Sequence, residues 1–101
     1  MHEQSKIYQN IKDGKLDTAL KDLFENIEEN PAIVENYINA GIVLSDVGEI
    51  EKAERFFQKA LTIEPENGAV YYNLANIYYN EERYNEAIKL YQTALQYEVA
   101  K

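Results

Sequence analysis

The chain concentrates its hydrogen-bonding side chains in one stretch, VYYNLANIYYN at residues 70–80, where Asn73, Asn76 and Asn80 interleave with Tyr71, Tyr72, Tyr78 and Tyr79. A primary amide offers a donor and an acceptor together, the complement of a peptide group in an extended chain. Tyrosine adds flat apolar area with little conformational entropy to lose, a common trait of binding surfaces. The chemistry on offer is recognition, and catalytic candidates are sparse. His2 is the only histidine, and serine occurs only at Ser5 and Ser45, neither in a strand-turn-helix elbow. No glycine-rich phosphate loop occurs. The segment DGKLD at 13–17 lacks the alternating acids and distal glutamate of a calcium loop, and Gly14 is better explained as a turn residue. Acidic pairs such as Glu28-Glu29 and Glu81-Glu82 read as solvated helix ends. No enzymatic activity, cofactor or metal is expected.

Positioning these side chains requires a helix. On an α-helix Tyr71, Leu74, Ala75 and Tyr78 share one face by the i, i+3, i+4, i+7 rule. Tyr72, Asn73, Asn76, Tyr79 and Asn80 lie about 100° round from it, on a second stripe. One core can use only one of the two aromatic faces.

At 101 residues the chain is long enough for one small domain, expected to cover residues 1–101. Two prolines, four glycines and apolar content spread over Ala, Ile, Leu and Tyr make a helical composition. Eighteen acidic against ten basic residues give a net charge of −8, which repels nucleic acid and anionic membrane surfaces and leaves neutral or basic polypeptides as partners. There is no cysteine, hence no disulfide framework or thiolate chemistry. The opening MHEQSKIYQN has neither a basic n-region nor an apolar h-region, so a cytoplasmic address is expected. The longest apolar runs, such as IVL at 42–44, are too short to span a membrane.

The strongest signal is a period of 34, carried by Ala19, Ala53 and Ala87, by Gly14 and Gly48, and by Pro31 and Pro65. Leu16, Ile50 and Tyr84 repeat in step, as do Leu23, Phe57 and Tyr91, with Ala60-Leu61 matching Ala94-Leu95. No insertion or deletion interrupts the register. Each unit reads as two helices, with boundaries at about 1–33, 34–67 and 68–101. The helices are expected near Glu3–Lys12 and Leu16–Glu29, Ile33–Asp46 and Ile50–Ile63, then Gly68–Asn80 and Tyr84–Tyr97. Gly48 supplies a left-handed turn residue, and Glu64-Pro65 stops the helix before it. Small residues Gly41, Ala75, Ala53 and Ala87 let paired helices approach closely.

This pattern resembles the tetratricopeptide repeat family. Tyr71, Leu74, Ala75, Tyr78, Tyr84, Ala87, Tyr91 and Ala94 carry the match in the third copy, and Tyr37, Ala40, Gly41, Leu44, Gly48, Ala53, Phe57, Ala60 and Pro65 in the second. The first copy matches only through its second helix, Gly14 and Pro31; Glu82 and Val99 replace the turn glycine and closing proline of the third. The resemblance implies an all-α fold, a right-handed superhelical solenoid of three antiparallel helix pairs. It also implies a concave face lined by the first helix of each unit.

The matching concave positions are Ile38, Asn39, Ile42, Ser45 and Asp46 in the second unit, and Tyr72, Asn73, Asn76, Tyr79 and Asn80 in the third, with Tyr8 and Ile11 extending them. The expected peptide-binding residues are therefore Asn39, Tyr72, Asn73, Asn76, Tyr79 and Asn80. The clamp with which chaperone-binding relatives grip an acidic C-terminus is absent: Asn39 fits it, but Gln4, Ala69 and Asn73 stand where basic residues belong, and Tyr8 where a second asparagine belongs. A bland alternative makes the exposed tyrosines and asparagines neutral surface. An assembly alternative rests on the last helix, where Tyr84, Ile88, Tyr91 and Leu95, with Leu90 and Tyr97, spread beyond one face and no polar capping helix follows, so that either the chain is part of a longer array or another molecule covers this end. That helix is a candidate interface for a homo-oligomer, in which case the chain would act as a structural, self-assembling element.

Overall fold

The computed structural model describes residues 15–99, which form five α-helices and no strand. We label them α1 (Lys15–Glu29), α2 (Val34–Asp46), α3 (Ile50–Ile63), α4 (Gly68–Asn80) and α5 (Tyr84–Val99). The helix expected at Glu3–Lys12, and with it Gln4, Tyr8 and Ile11, lies outside the described residues. Helices α2 and α3 form one pair and α4 and α5 the next; α1 packs on α2, while α4 lies against both α3 and α2. The result is an all-α helical solenoid.

The period of 34 reappears as repeated hydrogen bonds. The Tyr37 hydroxyl donates to the Pro31 carbonyl at 2.7 Å, and the Tyr71 hydroxyl donates to that of Pro65 at 2.7 Å. Each bond ties the first helix of a pair to the loop before it. At the α2–α3 turn the Glu49 N–H donates to Leu44 O (2.8 Å) and Gly48 N–H to Ser45 O (3.0 Å). At the α4–α5 turn the Arg83 N–H donates to Tyr78 O (2.9 Å) and Glu82 N–H to Tyr79 O (3.0 Å). Both are Schellman closures, which need a left-handed residue just past the helix. Gly48 meets that need at φ 90°, whereas Glu82 is forced to φ 63°.

Glu82→Gly is therefore expected to stabilise the fold by about 0.5–1 kcal/mol, the steric relief outweighing the extra freedom of the unfolded chain. Gly48→Ala is expected to cost about 1 kcal/mol, and through backbone strain alone. An added Cβ at Gly48 meets nothing within 4 Å. Thermal melts of the two variants should move in opposite directions.

Helix ends follow local chemistry. The Asn67 side chain caps α4 by accepting from the Val70 N–H at 3.3 Å while donating to Glu64 Oε1 at 2.8 Å. Ile33, at the same place before α2, provides no side-chain cap. Helix α5 runs to Val99, past the expected end at Tyr97, because Val99 stands where Pro65 follows α3.

The core joins three helices. Val34, Tyr37 and Leu44 of α2, Ala53, Phe57 and Ala60 of α3, and Val70, Leu74 and Ile77 of α4 form one buried cluster. Phe57 is its largest fully buried side chain. Here the structure differs from the helical-face expectation: Tyr71 and Tyr78 are half-buried, and Val70 and Ile77 are the α4 side chains sealed in the cluster with Leu74. The reason is that α4 packs on two sides, against α5 within its pair and against the preceding pair. No described helix is long and apolar enough to cross a membrane.

Candidate functional site

Because α2 and α4 lie side by side, their exposed faces combine. Ile42, Ser45 and Asp46 from α2 and Asn73, Asn76 and Asn80 from α4 line one cleft of about 250 Å³, with Phe57 as its apolar base. Three of the six expected peptide-binding residues therefore meet in one place. Asn39 is exposed on α2 and does not line this cleft. The amides are partly engaged: Asn73 Nδ2 donates to Ala69 O at 2.8 Å, and Asn76 Oδ1 accepts from the Tyr91 hydroxyl. That arrangement leaves Asn73 an acceptor oxygen and Asn76 its amide donors, one of each for a peptide group.

Tyr72 and Tyr79 sit elsewhere. Both are more than half exposed, at 54% and 55%, and each reaches across to α5. The Tyr72 and Tyr91 rings lie 5.7 Å apart at 59°, and those of Tyr79 and Tyr84 lie 5.4 Å apart at 64°. Such tilted pairs suit the aromatic quadrupole. A second cleft, of about 470 Å³, opens beside the first of these pairs, lined by Gly68, Ala69, Tyr72, Tyr91, Ala94, Leu95 and Glu98. Tyr84, Ile88 and Leu95 are exposed at 50%, 52% and 65%. Residues expected to bind peptide and residues expected to mediate assembly thus belong to one continuous α4–α5 surface.

Its electrostatics are mild. Burial, followed by the neighbouring Tyr72 and Tyr79, raises the Tyr91 pKa, so its hydroxyl stays a donor toward Asn76. Burial and then Glu54 raise Tyr78, against the opposing pull of the Arg83 guanidinium 4.3 Å above its ring. Arg83 grips Glu86 with two bonds, of 2.8 and 2.7 Å, and that hydrogen bonding lowers the Glu86 pKa. Among the described residues no group of three His, Cys, Asp or Glu side chains could hold a metal.

Gly68, Ala69 and Phe57 are lining residues that the helical faces did not single out. A Cβ at Gly68 would come within 2.8 Å of Glu98 Oε2 and 2.9 Å of Ala94 O, so the bare glycine lets α5 approach the start of α4. Its place at the helix start, ahead of an alanine, was the available signal.

Repeated loop ties, turn closures and helix pairs on a period of 34 define an architecture, and residues 44–100, more than half of the chain, match the tetratricopeptide repeat family model. The chain belongs to the tetratricopeptide repeat family. No curated protein sequence matches it. Among solved structures, a crystal structure of MamA superimposes on this tetratricopeptide repeat chain with a TM-score of 0.79 at 24% identity, over 93% of this chain and 55% of that one. MamA from AMB-1 gives 0.76 at 25% identity, over 91% and 54%. A third, again of MamA, gives 0.76 at 25%, over 91% and 50%. This chain spans about half the length of those it resembles. Membership makes it a protein–protein interaction module, built as a tetratricopeptide repeat scaffold.

Proposed function

We propose that the module captures an extended segment of a partner protein in the cleft between α2 and α4. The observation that carries this reading is the gathering of Asn73, Asn76, Asn80, Ser45 and Asp46 over the Phe57 ring. Paired amide donors and acceptors engage the segment's backbone, which makes capture tolerant of sequence. Asn39, one repeat before Asn73, extends the same helix face. Asp46 in the cleft and the net charge of −8 favour a neutral or basic segment over an acidic one. Binding without chemistry is the activity this arrangement supports, in the cytoplasm.

A random peptide library displayed on phage, selected against the wild-type protein, tests the reading. Selected peptides should be free of acidic clusters and should lose at least about tenfold in affinity, roughly 1.4 kcal/mol, for the Asn39→Ala/Asn73→Ala variant. Circular dichroism should show that variant as helical as wild type, since both asparagines project from helix surfaces. Selection of no peptide, or of peptides indifferent to the variant, would remove the groove from consideration.

A further inference from the structure

Two neighbouring amides in the α2–α4 cleft are held by different partners, and in opposite senses. Asn73 Nδ2 donates to Ala69 O at 2.8 Å, one turn back along α4. A carbonyl can only accept, so the NH2 group of Asn73 is taken and its oxygen is left. Asn76 is held from another helix. The Tyr91 hydroxyl of α5, 15 residues away, donates to Asn76 Oδ1. Burial raises the Tyr91 pKa, so the hydroxyl keeps the proton it gives. With the Asn76 oxygen engaged toward α5, its NH2 group is the end left for the cleft.

The two residues change together between repeats. One period earlier Asn76 and Tyr91 correspond to Ile42 and Phe57, where amide and hydroxyl are both missing. The hydroxyl thus accompanies an amide that has to be aimed. Asn73 and Asn76 are three residues apart on one helix face, with Cβ atoms about 5–6 Å apart. In an extended chain one residue turns its N–H and its C=O to the same side, as in a hydrogen-bonded pair of a β-ladder. The Asn73 oxygen suits that N–H and the Asn76 NH2 suits that C=O. An Asn76 amide free to turn would instead offer an oxygen to the C=O, and two acceptors repel.

We infer that Tyr91 is a positioning residue of the α2–α4 cleft: its hydroxyl fixes Asn76 as a donor beside the Asn73 acceptor, and the pair selects a backbone residue with a free N–H. The assignment rests on the reading of this cleft as a site for an extended segment, and it adds a specificity. The residue seated over Asn73 and Asn76 cannot be proline, which has no N–H to give.

Tyr91→Phe tests this, because it removes the hydroxyl and keeps the ring that packs against Tyr72. In the free protein, ¹⁵N relaxation should show the Asn76 side-chain amide losing order in Tyr91→Phe, while Asn73, still bonded to Ala69 O, is unchanged. Peptides from the wild-type phage selection, measured by calorimetry, should bind Tyr91→Phe about threefold to tenfold more weakly. In an Asn76→Ala background the same substitution should change affinity by less than about twofold, a coupling that loss of packing alone does not produce. Replacing the peptide's N–H groups by ester oxygens one at a time should weaken wild-type binding about tenfold at one residue, and that penalty should disappear in Asn73→Ala. Equal Asn76 order in the two proteins, equal affinity for the peptides, an undiminished effect in Asn76→Ala or indifference to every ester overturns the assignment. Selection of no peptide removes the cleft and the role of Tyr91 in it together. That failure is told apart from the others because Asn76 would still lose order in Tyr91→Phe.

Discussion

Phe57→Ala is expected to remove about 3–5 kcal/mol, the usual cost of emptying a fully buried phenylalanine site. Phe57 is 1% exposed and touches a cluster drawn from α2, α3 and α4, so its loss opens a cavity where three helices meet. Domains of this length are stable by roughly 5–15 kcal/mol, so the variant should lie at or near the edge of folding. Urea unfolding followed by circular dichroism measures the effect as a fall in the midpoint. The companion variant is Tyr91→Ala, one period later on α5, where the ring is only half-buried. Its expected loss is about 1–2 kcal/mol, from partial burial and the bond to Asn76. Equal losses at the two positions would contradict this difference in burial.

Gly41→Val should be nearly as damaging, for the opposite reason. A Cβ at Gly41 would lie 2.7, 2.8 and 2.9 Å from three atoms of the Phe57 ring. That ring is enclosed and cannot swing aside, so α2 and α3 must separate. Overpacking of this kind costs about 1–3 kcal/mol, and a branched side chain belongs at the upper end. The better helix propensity of valine returns only a few tenths of a kcal/mol. The expected outcome is a thermal midpoint lowered by several degrees, about 4–8 °C per kcal/mol in domains of up to 100 residues. Ala75 holds the matching place in α4, and Ala75→Gly should cost about 1 kcal/mol through propensity instead. A Gly41→Val protein as stable as wild type would show that the α2–α3 crossing is looser than described.

Much of this architecture is readable before any coordinates. The register of Ala19, Ala53 and Ala87 divides the chain into units, and Gly48 and Pro65 bound α3 at Ile50 and Ile63 as expected. Helix α4 also begins and ends at the expected Gly68 and Asn80. What the sequence hides is the second neighbour of each helix. The 3.6 periodicity of α4 singles out the face of Tyr71, Leu74, Ala75 and Tyr78, but Val70 and Ile77 one step round are buried against the preceding pair. For the same reason the stripe of Tyr72 and Tyr79 and the stripe of Tyr84, Ile88, Tyr91 and Leu95 read as separate sites. Ring contacts across two helices unite them, and such contacts leave no mark in spacing along one helix.

The clustered rings also give the protein an optical signature. It has nine tyrosines and no tryptophan, and four of those tyrosines are paired on the α4–α5 surface. Tyrosine emission passes readily to a nearby tryptophan, whose absorption overlaps it. A partner that brings an indole onto this face would therefore quench the tyrosine emission and light up its own, announcing its arrival without any attached dye.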